Sequence, residues 1–364
     1  MGEERPGASE TTERYLEHSR RRALSLAGLA LAAFAMAIAT LRLGSTDLSY
    51  AEILRIIFTG EGSGPDGWWD SYVVWNLRLP IALSAVAIGA ALGLSGAVMQ
   101  GILRNPLASP FTLGLSNASA FGASLGIMIS MGGLSAGWFA AAGAGGHILT
   151  VILALGFAML ATAVVVLLVR ATSSSPETIV LAGLAISAVF SSGLAFLQYI
   201  ADDVALQTMV FWQFGSLDKL DWRSLGAISA TLAAAAVYFF YKRLDYNAME
   251  AGDDVAAGLG VDVRRARIVG LSMSALMTAV AVSFAGIIGF VGLLAPHVAR
   301  RLVGSDNRFL LIGSMLVGAA VMLLANIISQ HAFGVVVPIG IITSAVGGPL
   351  FLYILIRGHK NASG

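Results

Sequence analysis

The sequence predicts an all-α, polytopic membrane protein. Of its 364 residues 57% are hydrophobic and only 12% are charged, and the mean hydropathy is +0.81. Soluble domains do not contain this much apolar surface, whereas apolar runs of about twenty residues are typical of membrane-spanning helices. The chain contains ten such runs separated by polar segments, so we expect about ten transmembrane helices.

The polar start, residues 1–22, is expected to be a disordered cytoplasmic tail. The run 23–41 is longer than the apolar core of a signal peptide, about 7 to 15 residues, and is therefore assigned as the first span. The mixed segment 42–76 contains three tryptophans that favour an outer membrane interface. The other nine runs lie at about 79–103, 107–131, 145–169, 179–200, 224–241, 268–284, 287–299, 309–330 and 337–356.

Three features of these runs describe the bundle further. The stretch 268–299 is too long for one span, and we divide it near residues 284–286. Glycine pairs four residues apart, Gly89 with Gly93 and Gly122 with Gly126, let helices approach closely. The spans contain no Asp, Glu, Lys or Arg, which argues against a proton-coupled carrier because such carriers use intramembrane charges.

The basic residues give the orientation. With a cytoplasmic N-terminus, 17 of the 22 Lys and Arg fall on the inner side and five on the outer side. This places both termini in the cytoplasm, including a short C-terminal tail at 358–364. The polar stretch 248–267 is cytoplasmic too. Acids open a predicted helix at 249–259, Gly260 interrupts it, and basic residues follow. From physical chemistry alone this stretch is either a partner surface or a solvated loop.

Several function classes are excluded or disfavoured by composition. The net charge of +1 and the scattered cations give no patch for nucleic acid. Without cysteine there is no disulfide or thiolate metal site, and the five histidines lie in separate segments, so no catalytic, metal or cofactor site is expected. None of the three lysines follows a glycine, so no phosphate-binding loop is present and any ATP must be hydrolysed by another protein.

Four motifs stand out along the chain: Arg-Asn-Pro-Leu-Ala at 104–108 with Leu-Gly at 113–114, the segment 251–263, Gly-Phe-Val-Gly-Leu-Leu-Ala-Pro-His-Val-Ala-Arg at 289–300, and the closing motif at 337–351. Together they resemble the FecCD family, the permease subunits of type II ABC importers for iron-siderophores, haem and vitamin B12. The resemblance covers about 25–357, and we define 23–357 as the permease domain. It implies the type II importer permease fold.

The resemblance also implies partners and roles. Such permeases form a homodimer with two ATPase subunits inside and a periplasmic or lipoprotein substrate-binding protein outside. The segment 248–263 corresponds to coupling helices that contact the ATPase. The candidate ATPase-coupling residues are Gly252, Asp253, Asp254, Leu259 and Gly260.

Two further sites follow from the resemblance. Asn105 and Leu107 match positions that narrow the cytoplasmic gate, although Asn before Pro is also ordinary helix-boundary chemistry. The second gate loop, about 172–178, departs from the family pattern, and no residue is assigned there. Outside, Arg78 is retained for docking of the binding protein, while Ile81 and Gln330 replace two arginines common in the family.

The sequence thus predicts a non-enzymatic permease of an ABC importer in a prokaryotic plasma membrane. Its expected cargo is an iron chelate, either a siderophore complex or haem. A corrinoid is the alternative cargo. A secondary carrier or channel that needs no ATPase is the rival class.

Overall fold

The computed structural model describes residues 8–42, 44, 46–62, 67–132, 146–171, 176–332 and 334–362, and every regular element within them is helical. The helices are α1 (Ala8–Arg42), α2 (Tyr50–Thr59), α3 (Gly67–Tyr72), α4 (Leu79–Leu103), α5 (Leu115–Ser130), α6 (Gly146–Ala171), α7 (Pro176–Ile200), α8 (Asp203–Gln213), α9 (Trp222–Tyr241), α10 (Arg243–Ala251), α11 (Asp253–Gly258), α12 (Val263–Ala285), α13 (Val291–Val303), α14 (Asn307–His331) and α15 (Ile339–Ala362).

Each of the ten predicted apolar runs contains a helix. Seven helical stretches in the described part of the chain are long and apolar enough to cross a membrane: Ser19–Arg42, Gly67–Leu103, Gly146–Arg170, Thr178–Ile200, Trp222–Tyr241, Val263–Ala285 and Asn307–His331. The runs assigned to α5, α13 and α15 form shorter apolar helices or shorter apolar parts of helices. The prediction of an all-α polytopic protein is confirmed.

Helix α4 lies at the centre of the bundle. Almost all of its residues are buried, and it packs against α9, α12, α13 and α14. A Cβ added to Gly89 would lie 2.3 Å from the Gly318 carbonyl oxygen, and one added to Gly93 would lie 2.1 Å from the Ser314 carbonyl oxygen. The predicted close approach at these glycines is therefore confirmed, and α14 is the helix that makes it.

Two of the apolar runs are interrupted, one as predicted and one not. The long run 268–299 breaks between Ala285 and Val291, slightly later than predicted, because Gly286 (φ 77°) ends α12 and Phe290 (φ 65°) precedes α13. The run predicted as one span at 107–131 starts instead with a 3₁₀ turn, Pro110–Leu113, and α5 begins only after Gly114. Such breaks require burial of the irregular backbone in protein, since lipid offers it no hydrogen bonds.

The N-terminal segment differs from its prediction. Helix α1 begins at Ala8, so the expectation of disorder is wrong for residues 8–22; residues 1–7 lie outside the described part of the chain. No proline or glycine occurs between Gly7 and Gly28, and Glu17 stands four residues before Arg21, a spacing that supports a helix. At the other end, α15 continues through most of the predicted C-terminal tail.

The segment before α4 is also more regular than its composition indicates. Helix α2 has a capping box in which the Ser49 side chain accepts from the Glu52 backbone and the Glu52 carboxylate accepts from the Ser49 backbone. Ile53 and Ile56 form the buried face of this helix. A π-helical turn, Val73–Arg78, then connects α3 directly to α4.

Candidate functional site

The polar stretch between α9 and α12 folds as two short helices, α10 and α11, which we call the polar helix pair. The prediction of one helix over 249–259 is wrong because Gly252 adopts φ 133° and ψ 151°, which ends α10 and starts α11. A residue with a side chain rarely adopts that conformation. After α11, Gly260 (φ 83°) turns the chain toward α12.

One face of the polar helix pair points toward the membrane bundle. Asn247 and Glu250 stand three residues apart in α10 and share this face. Asp253 begins α11 after the break at Gly252, and its contacts with Arg104 and Arg267 show that it faces the bundle too. Each of them contacts a different part of the bundle. The apolar side chains of Tyr246 and Met249 are buried beside them and anchor α10.

Asp253 is bound to two arginines of the bundle. Arg267 in α12 donates two hydrogen bonds from Nη2 to its carboxylate, at 3.0 and 2.9 Å. Arg104, which ends α4, places Nη2 3.4 Å from Asp253 Oδ1. The Arg267 side chain is only 4% exposed, so Asp253 neutralises a buried cation.

Glu250 lies deeper, between α4 and α13. Its Oε1 is 3.7 Å from Nη2 of Arg300, and Nη1 of the same arginine donates a 2.6 Å hydrogen bond to Oε1 of Gln100. Burial raises the pKa of Glu250, and the positive charge of Arg300 opposes that rise. Gln100 in turn donates to the Leu293 carbonyl over 3.4 Å.

Asn247 ties the start of the pair to α14. Its Nδ2 donates to Asp306 at 3.0 Å, and its Oδ1 accepts from the Asn307 backbone at 2.8 Å. Burial alone would raise the pKa of Asp306, but hydrogen bonds from Arg308 and Asn247 lower it to about 2. Arg22 of α1 approaches the same carboxylate to 3.9 Å.

The opposite face of the polar helix pair is open. Asp254 is exposed, Val255 is 49% exposed, and Leu259 is 71% exposed although it is a large apolar residue. Leu259 lines a groove of about 540 Å³ between α9, α10 and the start of α12. An apolar side chain exposed on a polar surface is a feature of partner sites.

The five candidate coupling residues therefore divide by geometry. Asp254 and Leu259 are exposed, whereas Gly252 and Gly260 shape the backbone around α11. Asp253 binds Arg104 and Arg267 of its own chain. Its position among the acids at a helix start did not indicate these partners. Sequence reasoning also did not identify the partners Gln100, Asn247, Arg267 and Arg300, although the three-residue spacing of polar groups in α10 was a usable signal.

The predicted gate residues follow α4 directly. Arg104 has a left-handed backbone, φ 45°, and the Asn105 backbone donates to the Gln100 carbonyl over 3.2 Å. The Asn105 side chain accepts from the Leu107 backbone at 2.9 Å, which is the local capping role considered for it. Leu107 is 44% exposed. Residues 172–175 of the second gate loop lie outside the described part of the chain.

Just before α4, Arg78 points into the fold. It is 7% exposed, and its guanidinium donates to the carbonyls of Leu41 at 2.9 Å, Arg42 at 3.3 Å and Thr46. These acceptors lie at and just after the end of α1, so Arg78 satisfies carbonyls left free there. The geometry does not support docking through Arg78, and that role stays a prediction.

In the described part of the chain, long apolar helices, broken spans and a polar helix pair tied to neighbouring ends of α4, α12, α13 and α14 are typical of a polytopic membrane transport subunit. The sequence model of the FecCD transport family matches residues 23–357. The chain therefore belongs to that family. It is accordingly an ABC importer permease with the type II importer permease fold.

Two relatives from transport systems match most of the chain. A haemin transport system permease of Yersinia pestis is 33% identical, over 90% of this chain and 94% of that one. A vitamin B12 import system permease of Yersinia enterocolitica is 34% identical, over 80% and 85% of the two chains. A solved inward-facing structure of a metal-chelate type ABC transporter superposes with a TM-score of 0.78 at 30% identity, over 91% and 98%.

Proposed function

We propose that this permease imports an iron chelate, a siderophore complex or haem, using ATP hydrolysed by a separate subunit that docks on the polar helix pair. The observation that carries the proposal is the two-faced construction of that pair. Its inner face is bound to four membrane helices, and its outer face presents Asp254, Val255 and Leu259. A surface of this kind can transmit force from a bound partner into the bundle.

The functional unit in this proposal is a homodimer with two ATPase subunits and an external substrate-binding protein, either periplasmic or lipid-anchored. It lies in a prokaryotic plasma membrane with both termini in the cytoplasm. The excess of Lys and Arg on one side of the predicted spans supports this orientation. In this proposal the permease is not itself an enzyme. The sequence has no phosphate-binding loop with which it could hydrolyse ATP.

The cargo assignment is supported by the haemin relative and by the metal-chelate type of the structural neighbour. A corrinoid is the second candidate, because the vitamin B12 relative has nearly the same identity to this chain, although over a smaller share of it. Both cargoes are large metal complexes, which in this proposal pass between two copies of the permease.

The docking claim is tested by measuring how tightly the ATPase subunit of the same transport system binds the permease in nanodiscs. Leu259→Glu places a charge on the exposed apolar position and is expected to weaken binding at least tenfold. The matched control is Val204→Glu, a 62% exposed position in α8 on the other side of the membrane. Equal binding by both variants would place the ATPase elsewhere.

A further inference from the structure

We infer that Glu250, Arg300 and Gln100 form a buried link that sets the position of the inner end of α4 according to the position of the polar helix pair. Glu250 is the positioning residue at the centre of this link. The inference rests on the proposed function, in which the ATPase moves the pair, and it names the contact through which that movement reaches the inner mouth.

The link joins three helices at one level of the bundle. Glu250 lies in the last turn of α10, Arg300 in the last turn of α13, and Gln100 in the last turn of α4. Gln100 is 2% exposed and therefore cannot exchange Arg300 for water without a rearrangement. A displacement of Glu250 thus acts on Arg300 and, through its 2.6 Å hydrogen bond, on α4.

The space around the Glu250 carboxylate is narrow. A Cβ added to Gly101 would lie 3.2 Å from Oε1 of Glu250, so α4 has a glycine where the carboxylate approaches it. Oε1 makes no hydrogen bond, and the 3.7 Å separation from Arg300 is longer than a direct hydrogen bond. A small movement of α10 would close or open this contact, which gives the link two distinct arrangements.

The end of α4 carries the effect to the inner mouth. The Gln100 carbonyl accepts from the Asn105 backbone, and Asn105 holds the Leu107 backbone through its side chain. Two hydrogen bonds, through Asn105, therefore connect Leu107 to Gln100, the residue that Arg300 contacts. The second route, from Asp253 to Arg104, is an exposed pair at 3.4 Å and is correspondingly weaker.

The first arm of the test uses the permease alone, so that it does not depend on any ATPase. Spin labels are attached at Val255→Cys and Leu107→Cys in this cysteine-free chain, diluted with unlabelled chain, and the distance distribution is measured. Glu250→Gln is expected to widen that distribution at least twofold, and Gly101→Ala is expected to shift it. The matched control Asp254→Asn changes an exposed carboxylate of the same pair and should leave it unchanged.

The second arm adds the ATPase. Labels at Leu107→Cys in both copies report whether ATP and vanadate change the distance across the dimer. Glu250→Gln is expected to reduce that change at least threefold while ATPase binding and thermal stability remain close to those of the unmodified protein. If Glu250 had a purely structural role, Glu250→Gln would lower the thermal stability, and the protein that remained folded would still show the full distance change with ATP and vanadate.

The outcomes separate the two proposals. If Glu250→Gln and Gly101→Ala leave the label distribution of the permease alone unchanged, the link is overturned whatever the ATPase does. If the unmodified permease does not bind the ATPase, the proposed function fails, and the first arm still decides whether Glu250 positions α4.

Discussion

Nη2 of Arg104 lies 3.4 Å from Oδ1 of Asp253, which joins the last residue before the predicted gate to the first residue of α11. Arg104 ends α4 in a left-handed conformation and is followed at once by Asn105. The proposed partner surface and the proposed inner mouth are therefore neighbours in space, although about 150 residues separate them in the sequence.

Loss of the Asp253 carboxylate should destabilise the protein. Asp253→Asn removes the negative charge that faces the buried Arg267 guanidinium, and the loss of a charge-assisted hydrogen bond of this kind costs about 1 to 3 kcal/mol. Asp254→Asn, at the adjacent exposed acid, should change stability by less than about 0.5 kcal/mol. Thermal unfolding of both variants in detergent checks this, and equal melting temperatures would show that the Asp253–Arg267 pair does not stabilise the fold.

Two glycines of α11 and its turn should respond in opposite ways to the same substitution. Gly260 has φ 83°, so Gly260→Ala forces a left-handed conformation that costs about 1 to 2 kcal/mol. Gly258 lies in α11 with nothing within 4 Å of an added Cβ, so Gly258→Ala should be neutral or stabilising by up to about 1 kcal/mol. Chemical denaturation of the two variants provides the comparison, and a stabilising Gly260→Ala would contradict the turn geometry.

Asp306 should make the protein sensitive to acid. Its pKa is lowered from the ordinary 3.8 to about 2 in the folded protein. The carboxylate therefore stabilises the fold above about pH 4, and this contribution, about 2 kcal/mol at most, is lost as the pH falls toward 2. Melting temperatures are measured at pH 6 and pH 3. Asp306→Asn should reduce the difference between them, and an unchanged difference would exclude Asp306 as its source.

Helix α4 packs so closely against α13 at Gly96 that we expect no room there for an added methyl group. A Cβ there would lie 1.8 Å from the Gly292 carbonyl oxygen, so Gly96→Ala must push α13 away and should cost about 1 to 3 kcal/mol or more. Gly156→Ala in α6 meets nothing within 4 Å and serves as the control. Size-exclusion profiles and melting temperatures after extraction compare the two, and similar behaviour would argue against this helix contact.

The role of Arg78 can be separated from docking. If it caps the end of α1, Arg78→Gln should lower the melting temperature whether or not a binding protein is present, because the Leu41 and Thr46 carbonyls lose their donor. If it docks a partner, the variant should keep its stability and lose affinity for the binding protein in a salt-dependent manner. Titration at two salt concentrations, alongside thermal unfolding, distinguishes the two results.

Hydropathy was sufficient to predict the membrane helices, because each span must satisfy its backbone within itself. The break after Ala285 was predictable from the length of one apolar run. The inner face of the polar helix pair was not, because Asp253 and Glu250 pair with Arg267 and Arg300, which belong to other helices and have no local spacing that reveals the partners. The contacts of Arg78 were not predictable for the same reason, since its acceptors lie more than thirty residues earlier.

Transport by the reconstituted system tests the account most directly. Permease, ATPase and substrate-binding protein are reconstituted in liposomes, and uptake of haem, a ferric siderophore and cyanocobalamin is measured with and without hydrolysable ATP on the ATPase side. We predict accumulation of an iron chelate that requires ATP, is abolished by Leu259→Glu and is retained by Val204→Glu. Accumulation against a gradient by the permease alone, driven by a proton gradient, would contradict the account.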